Sequence, residues 1–92
     1  MKKLYMIRDS VSHQCSMLNV EESDETFIRS FGMSFAQQRI PSSLAKDFEG
    51  VCVGEIDYPD GTYPRVRGYE CPVPIVTGDV AMAPYLQEAN NG

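Results

Sequence analysis

The chain is 92 residues long, with 42% apolar and 23% charged residues and a net charge of −5 at pH 7. That length fits one domain, and no apolar run nears the ~20 residues of a membrane-spanning helix. The opening "MKKLYMIRDS" is basic, but its apolar patch is shorter than a secretory leader needs, so a cytosolic protein is expected in preference to a secreted one.

Leu4, Tyr5, Met6 and Ile7 follow one another without a polar break, so residues 3–8 read as a short inner strand. Asp9 to His13 read as a turn, because Asp and Ser side chains bond nearby backbone N–H groups. Residues 14–20 read as a returning strand. Ser23 is placed to cap a helix, and Asp24 and Glu25 suit its first turn. Phe27, Phe31 and Phe35 then recur at i, i+4 and i+8 beside Ile28, an apolar stripe at helical spacing. Gly32 is read as a point of close packing on the sheet. Ser42 or Ser43 is expected to cap one short turn running from Leu44 to Phe48.

The stretch "DYPDGTY", residues 57–63, is the clearest turn signal. Pro59 presets φ for the first turn position, Asp60 suits the second, and Gly61 takes a left-handed bulge. The predicted hairpin joins residues 51–58 to 62–67, with Tyr58 opposite Thr62, Asp57 opposite Tyr63 and Glu55 opposite Arg65. One face then carries Cys52, Ile56, Tyr58 and Val66; the other carries Glu55, Asp57, Tyr63, Arg65 and Arg67. The two tyrosines fall on opposite faces, so the hairpin reads as structural and not as a binding site. Pro64 lacks an N–H, which demands either a broken ladder or an edge strand there. A short edge strand is expected at Val73–Val76, and a helix starting at Asp79 that Pro84 interrupts. The expected fold is α+β: a small antiparallel sheet of four or so strands with one principal helix packed on it. Residues 1–80 form the single domain and 81–92 a partly disordered tail.

Chemistry-bearing patterns are sparse. Cys15, Cys52 and Cys71 are odd in number and widely spaced, which reads as reduced thiols. His13 and Cys15 supply two ligands where zinc needs three or four, so no metal or cofactor is expected. There is no phosphate-cradling glycine loop and no G-x-S-x-G, and a Cys52–His13 dyad is weak ground for catalysis. The expectation is a protein that is not an enzyme.

Several segments, in their order and spacing, carry a resemblance. A Met-Lys-Lys start runs into a strand ending "IRDS" (residues 7–10), and an acid-capped helix carries "FIRSFG" (27–32). A proline-serine segment leads to "SLAKDFEGVCVGEID" (43–57), an Asp-Gly turn follows, and "PVPIVTG" (72–78) closes the pattern. Over roughly residues 1–80 this is similar to the small nonstructural protein of gokushovirus-like microviruses, phages with circular single-stranded DNA genomes. Arg65, Arg67 and the length of the tail depart from that pattern. The resemblance implies a non-capsid protein in the cytoplasm of the host bacterium, serving the late, single-strand-producing stage of replication. A DNA-binding role is often proposed for that family, and it offers no catalytic residues to carry over.

Two contacts follow as expectations. Lys2, Lys3, Arg8, Arg29, Arg39 and Lys46 are the basic groups of the less acidic half; they form a single-stranded-DNA patch if strand one and the helix share a face. Alternatively, Asp47, Glu49, Glu55 and Asp57 dock on a basic partner: the viral replication initiator, the procapsid or host replication machinery. Mimicry of DNA by the acidic surface is a weaker third reading, since prolines break up the acidic groups. Exposed sheet edges and a short core also predict a homodimer.

Overall fold

A computed structural model describes residues 1–16, 18–61 and 63–91, with side chains through Leu86. Its elements are β1 (Lys2–Asp9), β2 (Asn19–Glu21), α1 (Asp24–Gln37), α2 (Ser42–Ala45), β3 (Phe48–Asp57), β4 (Arg65–Thr77) and α3 (Gly78–Asn91). The four strands make one antiparallel sheet in the order β2-β1-β3-β4. The fold is α+β, with helices on one face of the sheet.

β1 lies inside the sheet because both its edges are used. β3 pairs along its whole length, and β2 pairs with Lys3–Tyr5. Beyond β2 the returning chain still satisfies β1: the Asp9 N–H donates to the Gln14 carbonyl, and the Ser16 N–H to the Ile7 carbonyl, both at 2.8 Å. The intervening turn is held by the Asp9 carboxylate, which accepts from the Val11 N–H at 2.9 Å, and by His13 at φ 62°.

α1 starts where its cap predicts, with the Ser23 hydroxyl accepting the Thr26 N–H at 3.2 Å. It stops at Arg39, which takes the left-handed conformation (φ 55°), while the Ile40 N–H reaches back to the Phe35 carbonyl at 3.1 Å. The phenylalanine stripe becomes a chain of rings. Tyr5 of β1 stacks on Phe27 with centroids 4.3 Å apart, and Phe35 meets Phe48 of β3 edge-on at 5.3 Å. Gly50 makes room for this, since a Cβ there would sit 2.5 Å from the Phe27 ring.

Three expectations change. A second long helix, α3, packs against α1, and its Ala81 and Met82 belong to the core at 3% and 0% exposure. The domain therefore continues past residue 80, and 81–92 does not begin as a tail; side chains from residue 87 lie outside the described residues. Gly32 serves this helix pair and not the sheet: a Cβ there would overlap the Ala81 carbonyl oxygen. α2 is only Ser42–Ala45, with Pro41 at the cap position and no side-chain cap bond.

Candidate functional site: the β3–β4 arm and its surroundings

Strand alternation decides where the basic groups go. Lys3, Tyr5 and Ile7 face the helices, so Lys2, Leu4, Met6 and Arg8 face away. Lys3 is 3.5 Å from Asp24 at the start of α1. Lys2 and Arg8 stand at opposite ends of β1 on the open face, and the Arg8 guanidinium is 2.9 Å from His13 Nδ1. Arg29 is exposed on α1, Arg39 terminates that helix, and Lys46 follows α2. The six cations thus do not share a face, and the condition for a patch of strand-one and helix charges is not met.

The acidic candidates fall along β3 and its approach. Asp47 lies just before the strand, its carbonyl accepting the Ser10 N–H at 2.9 Å. Glu49 is aligned with Arg8 on the open face. Glu55 and Asp57 face the helix side, where β4 answers them: Arg67 Nη2 is 3.2 Å from Glu55, and Arg65 is aligned with Asp57.

The hairpin register differs from the expected one by two residues. Asp57 pairs with Arg65, Ile56 with Val66 and Glu55 with Arg67. Pro64 drops out of the ladder, which removes the missing N–H as a problem. The connection becomes the seven residues 58–64, closed by the Gly61 N–H on the Tyr58 carbonyl at 3.3 Å; Thr62 lies outside the described residues. Tyr58 and Tyr63 are then loop residues, 51% and 80% exposed. The warning was present in the sequence as Pro64. Cys52 also changes face: Val53 is an extra residue in β3, because Leu4 aligns with Gly54 but Tyr5 with Cys52. That bulge turns Cys52 toward the helices, where it is 3% exposed.

Behind the arm, two tyrosine–carboxylate–cation groups close the end of the core. The Tyr5 hydroxyl donates to Asp24 at 2.5 Å, beside Lys3, and the Tyr69 hydroxyl donates to Glu55 at 3.0 Å, beside Arg67. Burial, then the bond to Asp24, raises the Tyr5 phenol well above its ordinary value. Burial, then the bond to Glu55, pushes Tyr69 up to about 12. Both stay neutral donors at physiological pH, which suits an anchoring role and not a catalytic base. Outward from this network, Met1, Glu55, Asp57, Arg65 and Arg67 line a shallow cleft of about 140 Å³.

Other features carry less. A cleft of about 300 Å³ beside the Asp9–His13 turn is lined by Ile7, Ser12, Cys15 and Phe48, among others. Among the described residues no three His, Cys, Asp or Glu side chains gather as a metal site, and no helix is long and apolar enough to cross a membrane. Family models, curated proteins and solved structures were compared with the chain, and none matches.

Proposed function

We propose that the chain is a noncatalytic accessory protein of phage DNA replication, of the kind its microvirus-like sequence pattern suggests. In this reading it acts in the host cytoplasm during single-strand synthesis or packaging and holds single-stranded DNA on the β3–β4 arm. The supporting observation is the exposure of Tyr58 and Tyr63 in the 58–64 loop, directly before Arg65 and Arg67, which alternate onto one face of β4. Base–aromatic stacking is worth about 1–3 kcal/mol per base and needs no particular base. Two neighbouring arginines supply the phosphate contacts that such stacking accompanies. The two arginines share the arm with Glu55 and Asp57, and a flexible strand, unlike a rigid duplex, can bend away from those carboxylates.

Fluorescence anisotropy of labelled oligonucleotides at ~50 and ~200 mM salt tests this, since phosphate contacts weaken steeply over that range. The expected result is micromolar binding of the single strand, weakened about tenfold by Tyr63→Ala and made less salt-sensitive by Arg65→Glu. A second reading, an adaptor for a basic replication protein, draws on the dispersal of the six cations and on Asp47 and Glu49. Absence of single-strand binding at the lower salt would move the function to that reading.

A further inference from the structure

We propose that the open face of the sheet is the interface of a homodimer, with a two-fold axis running parallel to the strands between β1 and β3. That line is the midline of the β2-β1-β3-β4 sheet. A dyad along it lays β1 of one copy over β3 of the other, and β2 over β4, and keeps each cross-strand row facing itself.

The rows are self-complementary under that operation. One row reads Val20, Leu4, Gly54, Gly68 across the four strands. Folded on the dyad, each Val20 meets a Gly68, so an exposed side chain falls where the other copy has none, while Leu4 and Gly54 are already buried within each chain. Val20 is 44% exposed, and the space above Gly68 is open, with nothing within 4 Å of a Cβ placed there. The next row sets Met6 against Val51, apolar on apolar. The row beyond it reads Arg8, Glu49, Thr77, so each Arg8 meets a Glu49 of the other copy, twice over by symmetry. A dyad across the strands would instead bring Lys2 over Arg8, like charge on like, which is unfavourable.

The size is adequate. Eight residues of β1 at ~3.4 Å and four strands at ~4.8 Å give a face of about 500 Å² per copy, or about 1,000 Å² in all, near the lower bound of specific interfaces. Leu4, Val51 and Ile56 are already at most 8% exposed, so the gain comes from the rim, where Val66 is 59% exposed. A micromolar dimer is the expected strength. Because strand direction is preserved, both 58–64 loops project from the same end, giving two arms side by side.

Sedimentation equilibrium from ~1 to ~200 µM would show the mass rising from 10.3 kDa toward twice that value. Arg8→Glu and Glu49→Arg should each weaken self-association at least about tenfold. Mixed in equal amounts, the two variants should associate as tightly as the unmodified chain, because every contact between copies again joins opposite charges. Mixing leaves each chain's own Arg8–Glu49 alignment unrestored, so it reads contact between copies and not folding. Val20→Asp, at an exposed position, should also weaken the dimer without lowering the thermal midpoint of the single chain. The proposal is overturned by a single-chain mass at every concentration, by a mixture no tighter than its components, or by Val20→Asp associating like the unmodified protein.

Discussion

Leu4 and Tyr5 are neighbours on β1, and both are almost fully buried. Tyr5 stacks on Phe27 beneath α1 and bonds Asp24, whereas Leu4 faces away from the helices between Val20 and Gly54 in the ladder. The helix-covered face is built from large rings that interlock with two helices. The other face carries the aliphatic side chains Leu4, Val51 and Ile56, each at most 8% exposed, and leaves Val20 and Val66 exposed. The same strands therefore carry one face that is finished within the chain and one that is not. Aromatic payload explains the difference, since each ring buries far more area than a valine.

Substitutions on the two faces test this contrast. Phe31→Ala should have the largest effect, about 3–5 kcal/mol of unfolding free energy by urea denaturation, because Phe31 is 2% exposed and touches rings on both sides. A cost under about 1 kcal/mol would mean that the helix layer can collapse onto the gap. Tyr5→Phe should cost about 2 kcal/mol, since it removes the charge-assisted hydrogen bond to Asp24 and leaves that carboxylate with Lys3 alone.

The tyrosines also set a pH window. The phenols of Tyr5 and Tyr69 are raised in the folded protein, so their neutral forms favour folding fully below the ordinary value near pH 10. That contribution declines as pH rises from there through the folded value, about 12 for Tyr69. The thermal midpoint should therefore fall between those limits, and fall less in Tyr5→Phe. Val66→Thr, on the open face of β4, should change single-chain stability by less than about 0.5 kcal/mol. A larger loss at low protein concentration would show that the open face stabilises the single chain more than its exposure suggests.

What could be read locally was read well. Ser23, the acidic first turn and the Phe27–Phe31–Phe35 stripe define α1 without help from elsewhere, because capping and 3.6-residue periodicity are properties of a short stretch. Tertiary contacts overrode the local readings elsewhere. Pro84 argued against α3, yet Ala81 and Met82 find the α1 surface opened by Gly32, and packing outweighs one poor helix former. The candidate sites shifted for the same reason. Sequence order grouped six cations by half of the chain, but a strand sends successive residues to opposite faces, so Lys2 and Lys3 part company.

The sequence by itself determined the class of the fold, the first helix and the position of the hairpin turn. Each depends on interactions spanning a few residues. Only the tertiary structure decided that Val53 bulges and turns Cys52 inward, that the ladder ends at Asp57 and Arg65, and that Tyr58 and Tyr63 stand free in the loop beyond. Register is a joint property of two strands and of what each face must bury, and a shift of two residues preserves the in-and-out pattern while moving the loop. Local composition is blind to such a shift; the packing of β3 between β1 and β4 is not.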